Sequence, residues 1–173
     1  MKVSYFGLDN GVSGSYGIIT VDYSTGAVES VFDLTPAKKE LSYQKSKKTY
    51  RSRLDYDRFY EILSNLKNSS DRIIFCMERP MINATRMQAS LSAIACLEAT
   101  LIALEQLGIP YSYIDSKEWQ KSLLPTGLKG SDEQKKASMD VGCRLFPQYK
   151  ELIQKHKDAD GILIAEYLHR KGL

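Results

Sequence analysis

The sequence has 173 residues, of which 43% are apolar and 26% are charged. These proportions are ordinary for a soluble globular protein, and they argue against disordered and fibrous classes. The length suits one domain, residues 1–173, with a substantial core. The formal net charge of +3 is too small to indicate a nucleic-acid partner by itself.

Three features of the sequence indicate the cellular compartment and the state of the thiols. No apolar run approaches the roughly 20 residues that cross a bilayer, and residues 1–4 lack a signal-peptide core. We therefore expect a cytoplasmic protein without a membrane partner. Cys76, Cys96 and Cys143 lie in apolar surroundings without CxxC spacing, which predicts buried free thiols rather than a zinc or redox site.

The first third of the chain predicts a meander of three strands. Residues 3–9 and 16–22 are short apolar runs joined by a glycine-containing loop, which favours a β-hairpin. Ser24-Thr25-Gly26 predicts a turn, and the alternation in Ala27–Leu34 predicts a third strand.

Residues 36–53 are strongly basic. Two interpretations of this segment stay open: a solvated surface loop, or a DNA-binding arm whose Tyr43 and Tyr50 stack on bases or sugars. The segment has a single acid, Glu40, and many more basic residues. Its candidate DNA-binding cations are Lys38, Lys39, Lys45, Lys47, Lys48, Arg51 and Arg53.

The middle of the chain predicts a helix–strand–helix–strand order. Residues 55–66 carry apolar side chains at helical spacing, and residues 73–78 form a β-rich run that Pro80 should end. A long helix over residues 83–107 should start at Asn83 and stop at Gly108. Its wide apolar coverage predicts burial under the sheet alone, or also against a second copy of the chain. Tyr111–Ile114 should then pair parallel to the preceding strand.

Shorter helices are predicted in the last third. Residues 117–123 carry Trp119, which we expect to fill the core. Ser131-Asp132-Glu133-Gln134 fits a capping box that opens a helix through residue 145. The cations of this region, Lys129, Lys135 and Lys136, are either solvated or in contact with DNA phosphates. Asp158 and Asp160 should lie in the first turn of the last helix, where a helix N-terminus favours anions.

Acidic residues lie at the ends of three distant apolar segments. Asp9 ends the first strand, Glu78 ends the strand before Pro80, and Asp158 and Asp160 precede the last apolar helix. Ligands of open sheets bind at the carboxyl ends of the strands, and carboxylates brought together need protons or cations. We therefore predict a Mg²⁺ or Mn²⁺ site, with two ions suited to phosphodiester cleavage. His156 is an additional candidate ligand or proton shuttle.

Each acid also has a purely structural interpretation. Asp9 precedes Asn10-Gly11 and could serve a turn. Glu78 could pair with a base such as Arg79, and Asp158 or Asp160 could cap a helix. Competing catalytic motifs are missing from the sequence, since it has only two histidines and no GxxxxGK[ST] loop.

Five stretches in order resemble the RuvC-like Holliday junction resolvases of the ribonuclease-H-like superfamily, especially those carried by bacteriophages. The resemblance runs from about residue 3 to residue 170. The stretches are Gly7-Leu8-Asp9-Asn10-Gly11, Met77-Glu78-Arg79-Pro80, the segment from Ile114 to Trp119, Leu145-Phe146-Pro147, and the segment from Asp158 to Ala165.

The resemblance implies a homodimer in a bacterial or phage-infected cell that makes paired nicks in four-way DNA junctions with Mg²⁺ or Mn²⁺. It also implies four metal ligands, three of which carry over as Asp9, Glu78 and Asp160. Bacterial relatives place the fourth ligand three residues before the last aspartate, where this sequence has Lys157. Asp158 is favoured as an oxygen donor, while helical register favours His156.

We therefore expect an α/β protein with a ribonuclease-H-like mixed five-stranded sheet, its first three strands antiparallel and helices on both faces. The expected activity is metal-dependent resolution of four-way DNA junctions. The alternatives are a related nuclease that cuts RNA–DNA hybrids or flaps, a junction-binding protein that does not cut, and a structural subunit without a nucleic-acid role.

Overall fold

The computed structural model describes residues 1–41, 50–80 and 82–172. Its strands in chain order are β1 (Lys2–Leu8), β2 (Ser15–Asp22), β3 (Ala27–Leu34), β4 (Ala37–Leu41), β5 (Tyr50–Leu54), β6 (Arg72–Glu78) and β7 (Tyr111–Ile114). Its α-helices are α1 (Tyr56–Ser69), α2 (Met87–Leu107), α3 (Ser116–Leu123), α4 (Gly130–Leu145), α5 (Lys150–His156) and α6 (Asp160–Lys171).

Five of these strands form one mixed sheet in the order β3-β2-β1-β6-β7. The pairs β1–β2 and β2–β3 are antiparallel, whereas β6 pairs parallel to β1 and β7 pairs parallel to β6. This arrangement confirms the predicted ribonuclease-H-like sheet with three antiparallel strands first. The parallel part places the carboxyl ends of β1 and β6 side by side.

Alternation along β1 explains why both faces of the sheet are covered. Val3 and Tyr5 belong to a core shared with α6, while Phe6 and Leu8 belong to a core shared with α1 and α2. Successive side chains of a strand point to opposite faces. A β1 strand that is apolar on both faces therefore needs helices on both sides, as predicted.

Helix α6 lies unusually close to the sheet because glycines occupy the contact points. A Cβ on Gly7 would lie 2.4 Å from the backbone nitrogen of Ala165, and one on Gly161 would lie 2.6 Å from the backbone of Ser15. No ordinary side chain fits such gaps. The glycines thus let the start of α6 reach the end of β1 that carries Asp9.

The basic segment is not simply a loop. Strands β4 and β5 pair antiparallel, from Ala37 opposite Leu54 to Leu41 opposite Tyr50. Leu54 is 2% exposed and packs into the core with α1 and α2. The interpretation of the segment as a surface loop was therefore wrong for these strands, whereas its interpretation as a DNA-binding arm stays a prediction. Residues 42–49 lie outside the described part.

Helix α2 ends where the sequence predicts, but it starts later and leaves one face exposed. Asn83 accepts a hydrogen bond from the Thr85 amide, but it caps a short 3-10 turn, Ala84–Arg86, and α2 begins only at Met87. Gly108 ends the helix in the left-handed conformation, as expected. However, an apolar face of the helix is open to solvent, with exposed fractions of 57% at Met87, 52% at Leu91 and 41% at Ile94. The expectation of burial under the sheet alone was therefore wrong, whereas burial against a second copy of the chain stays a prediction.

The stretch Ala84–Leu107 also meets the length and hydropathy of a membrane span, with a mean hydropathy of 1.6 in a window of which 28% is buried. The expectation that no segment of the chain is apolar enough to span a bilayer was therefore wrong. Core helices of soluble proteins meet the same standard, so length and composition alone are weak evidence for a span.

Two smaller predictions were also wrong. The capping box at Ser131 does not form, because α4 begins at Gly130 and the Ser131 hydroxyl lies 3.5 Å from Asp132 instead. Asp158 lies before α6 rather than in its first turn, since the helix begins at Asp160.

Candidate metal centre

Asp9 and Glu78 lie at the ends of neighbouring parallel strands. Leu8 pairs with Met77, so the residue that follows β1 and the last residue of β6 meet at the same edge of the sheet. The Asp9 amide donates to the Ser15 carbonyl at 2.9 Å, which closes the loop between β1 and β2. The strand pairing and this loop therefore fix both acidic residues.

Asp158 and Asp160 reach the same edge from the other end of the chain. Helix α5 ends at His156, and Lys157 adopts a left-handed conformation with φ of 72°. The chain then turns into α6, which the glycine contacts hold against β1 and β2. This turn brings Asp158 to the site although it lies outside the helix.

Ligand oxygens of Asp9, Asp158 and Asp160 all lie within 4.8 Å of one another. Such a spacing suits several carboxylates around one hard cation, since Mg²⁺–oxygen distances are about 2.0–2.1 Å and Ca²⁺–oxygen distances about 2.3–2.6 Å. All three side chains are partly exposed, so the site opens to solvent. Glu78 is not a member of this closest group, although its charge acts on it.

Repulsion among the acids appears in their pKa values. Burial raises the pKa of Asp9 well above its ordinary value, and Asp160, Glu78 and Asp158 raise it further. Burial likewise raises the pKa of Asp160 to about 7. Burial also raises the pKa of Glu78, with a further contribution from Asp158. Closely placed carboxylates that resist ionisation are typical of sites that bind a cation.

Neutral side-chain donors contact the acids. The indole nitrogen of Trp119 donates to Glu78 at 2.5 Å, and the Ser138 hydroxyl donates to Asp160 at 2.5 Å. The Ser15 hydroxyl approaches Asp158 at 3.5 Å. Trp119 is fully buried, as predicted, but its contact with Glu78 goes beyond the core-filling role expected from the sequence.

His156 lies beside this group rather than within it. Its Nε2 atom is 3.4 Å from an oxygen of Asp158, and the two side chains are 12% and 15% exposed. That nitrogen is buried and has no hydrogen-bond partner among the described residues. The histidine is therefore placed to act on Asp158 or to reach a cation next to it.

The candidate DNA-binding cations are distributed unevenly around the centre. Lys135 on α4 lies near enough to lower the pKa values of Asp9 and Asp160. Lys129 and Lys136 are exposed near the same helix start. Of these three lysines, Lys135 is therefore the one placed to contact a ligand that approaches the acids.

The cations of β4 and β5 are engaged with acids. Arg51 and Arg53 both bind Glu40, and Lys38 lies 3.3 Å from Asp55 and 3.5 Å from Asp57. Lys39 lies on β4, whereas Lys45, Lys47 and Lys48 fall outside the described residues. The positive charge of the described strands is thus partly compensated within the protein.

Sequence patterns did not predict the roles of the two serines. Ser138 and Asp160 are 22 residues apart, and Ser15 and Asp158 are 143 residues apart. Neither serine belongs to a motif or to an apolar period. Trp119 did have a signal, because it closes one of the five stretches on which the resemblance rested.

No protein-family model and no curated protein matches the sequence. Among solved structures, Thermus thermophilus RuvC in complex with a Holliday junction substrate is similar with a TM-score of 0.55 and 17% identity, over 99% of this chain and 96% of that one. Another structure of Thermus thermophilus RuvC gives a TM-score of 0.50 and 14% identity, over 99% and 97% of the two chains.

A complex of the Fowlpox virus resolvase with Holliday junction DNA gives a TM-score of 0.44 and 13% identity, over 99% and 96% of the two chains. The likeness to RuvC extends over nearly the whole chain and agrees with the observed strand order. The protein therefore has the ribonuclease-H-like fold of RuvC.

Proposed function

We propose that the protein is a metal-dependent endonuclease that resolves four-way DNA junctions by paired nicking. The observation that carries this proposal is the meeting of Asp9, Asp158 and Asp160 within 4.8 Å at the sheet edge. The RuvC structure that shares the fold is a complex with a Holliday junction substrate. That likeness supports the choice of substrate, and the acidic group supports the chemistry.

The residues present fit a hard divalent cation. They offer carboxylate oxygens, which Mg²⁺ and Mn²⁺ prefer. Burial raises the pKa values of Asp9 and Asp160, and the neighbouring acids raise them further, so a cation at this position would favour the ionised acids. Asp9, Asp158 and Asp160 would hold the ion, and Glu78 would take part in holding a second. Bound there, such ions supply water activation and charge neutralisation at a phosphate.

The side chains around the acids have separate tasks in this proposal. Glu78, fixed by Trp119, orients the attacking water. Lys135 contacts the phosphate next to the cleaved bond, since it is the cation that acts on both Asp9 and Asp160. The junction arms contact the remaining basic residues, which are Lys38, Lys39, Lys45, Lys47, Lys48, Arg51, Arg53, Lys129 and Lys136.

Paired nicks require two active sites, and we propose that a homodimer supplies them. The apolar face of α2 is the candidate contact, because Met87, Leu91 and Ile94 are all more than 40% exposed. Apolar side chains gathered on one helix face mark association surfaces in soluble proteins. A two-fold axis through this face would set the two acidic centres in a fixed relation.

A cleavage assay on a synthetic four-way junction tests the function. The purified protein should nick the junction with Mg²⁺ or Mn²⁺ and leave a linear duplex of the same sequence intact. Asp9→Asn should abolish nicking and retain junction binding, because it removes a metal ligand without removing a phosphate contact. Glu151→Gln neutralises an exposed acid on α5 and should cut like the wild type.

The same assay with an RNA–DNA hybrid and a flap as further substrates distinguishes the other candidate functions. Cleavage of an RNA–DNA hybrid or a flap in preference to the junction would replace the proposed substrate. Tight junction binding without a metal-dependent product would indicate a binding protein that does not cut. If the protein does not bind DNA even at low salt, where phosphate contacts are strongest, the nucleic-acid role is wrong.

A further inference from the structure

We infer that Ser138 and Trp119, with Ser15 in a weaker contact, are positioning residues that hold the acidic side chains in the orientation that binds the cation. This inference rests on the proposed function, because it assumes a metal at the acidic centre. It concerns neutral groups behind the carboxylates rather than the ligands themselves. The three residues come from different elements, namely α4, α3 and the first residue of β2.

The hydrogen bonds of Ser138 fix the direction of its proton. Its oxygen accepts the amide proton of Ala159 at 3.1 Å, and its hydroxyl lies 2.5 Å from an oxygen of Asp160. A hydroxyl has a single proton to donate. Because a backbone amide can only donate, the serine proton is left for the carboxylate of Asp160.

Ser15 repeats this arrangement on the other acid of the turn. Its oxygen accepts the amide proton of Gly161 at 3.1 Å, and its hydroxyl lies 3.5 Å from Asp158. Each serine therefore joins the backbone at the start of α6 to one acidic side chain. The longer distance makes the Ser15 contact the weaker of the two.

Trp119 performs the equivalent task for Glu78. The indole N–H is a donor only, and it contacts one of the two carboxylate oxygens at 2.5 Å. Trp119 is 0% exposed and Ser138 is 2% exposed. Surrounding atoms thus hold both donors in one rotamer, and their hydrogen bonds in turn fix the orientations of the Glu78 and Asp160 carboxylates.

The neutrality of these donors matters for cation binding. An arginine or lysine in their place would pair with the carboxylate and compete with the metal for it. A hydroxyl or an indole orients one oxygen and leaves the charge of the acid uncompensated. In known metal sites, loss of such an outer partner typically costs about 10- to 100-fold in metal affinity or activity.

Titration calorimetry with Mn²⁺ tests the inference without DNA. Ser138→Ala and Trp119→Phe should each weaken Mn²⁺ binding by about 10- to 100-fold. Ser138→Cys keeps the size of the side chain but donates weakly, so it should weaken binding as well. It also provides a second measurement if the alanine variant does not fold, which far-ultraviolet circular dichroism would reveal.

Two matched controls distinguish a loss of carboxylate orientation from a general loss of protein stability. Ser4→Ala removes another fully buried hydroxyl, which bonds to Thr20 and Ser70 at the opposite end of β1. Tyr167→Phe keeps the aromatic ring and removes only its hydroxyl, which donates to a carboxylate outside the centre, Glu118. Both should retain the Mn²⁺ affinity of the wild type even where they lower the thermal midpoint.

Trp119 also gives an optical readout, because it is the only tryptophan in the chain. Paramagnetic Mn²⁺ bound at the centre should quench its fluorescence along a saturable curve that shifts to higher Mn²⁺ in Ser138→Ala. If the folded variants bind Mn²⁺ as tightly as the wild type, the positioning role is overturned and the proposed function stands. If the wild type binds no Mn²⁺, both are overturned.

Discussion

Gly17 on β2 lies directly beneath Ile162 on α6, so closely that a Cβ on the glycine would be 2.2 Å from the isoleucine Cα. This contact presses the helix that carries Asp160 onto the sheet. We expect Gly17→Ala to lower the free energy of unfolding by about 1–3 kcal/mol, because the added carbon meets backbone atoms that cannot move aside freely. Denaturant unfolding followed by circular dichroism measures this loss.

Gly11→Ala provides the comparison for that substitution. Its added Cβ would meet no described atom closer than 3.9 Å, so the free energy of unfolding should change little. Equal stability of both variants would show that α6 does not need the close approach at Gly17.

The metal-free protein should be destabilised by the ionisation of Asp160. Burial raises the pKa of Asp160 from 3.8 to about 7 in the folded chain, so the folded state holds this proton more tightly than the unfolded state does. The corresponding stability is fully present below the unfolded pKa and is lost as the pH rises through about 7. Asp160→Asn should therefore stabilise the metal-free protein at pH values above the folded pKa.

After allowance for solvent near the partly exposed side chain, the expected gain is about 1–3 kcal/mol. It should shrink as the pH falls toward the unfolded pKa. Thermal midpoints measured in the presence of a chelator across this range test the prediction. An asparagine variant less stable than the wild type at high pH would contradict it.

Asp158 and His156 should differ in their importance for metal binding. Asp158 belongs to the group of oxygens within 4.8 Å, whereas His156 contacts Asp158 at 3.4 Å. We expect His156→Ala to weaken Mn²⁺ binding by about 10-fold, as loss of an outer partner does. Asp158→Asn should weaken it more. A larger loss in the histidine variant, measured by calorimetry, would make His156 the direct ligand.

Lys135 should contribute to DNA cleavage through its charge near the acids. Lys135→Gln should reduce the nicking rate. It should also reduce the slope of the logarithm of the junction-binding constant against the logarithm of salt concentration by about one, which corresponds to the loss of one phosphate contact. Lys155→Gln removes an exposed lysine in the last turn of α5 and serves as the control. Unchanged nicking by Lys135→Gln would remove this residue from the site.

The exposed face of α2 should determine the oligomeric state. Ile94→Glu places a charge on the exposed apolar face formed by Ile94, Met87 and Leu91, so it should convert the proposed dimer to a monomer in sedimentation velocity. Val28→Glu changes an apolar residue of β3 that is 58% exposed and should leave the dimer intact. A wild-type protein that sediments as a monomer would contradict the assignment of this face.

The sequence by itself determined the sheet and the position of two acids. Alternation in β1 required cover on both faces, Pro80 followed the end of β6, and Gly108 ended α2. Asp9 directly follows β1 and Glu78 is the last residue of β6, and because these two strands pair in parallel, the proximity of the two acids could be predicted. These features depend on short-range periodicity and on backbone limits that each residue carries with it.

Only the tertiary structure decided how the acidic centre is completed. The left-handed turn at Lys157 brings in Asp158, and the donors Trp119 and Ser138 reach the acids across 41 and 22 residues of chain. Burial on α2 and the pairing of β4 with β5 were decided in the same way. Such contacts depend on how whole elements pack against one another, and packing between distant segments leaves no period in the sequence from which to infer it.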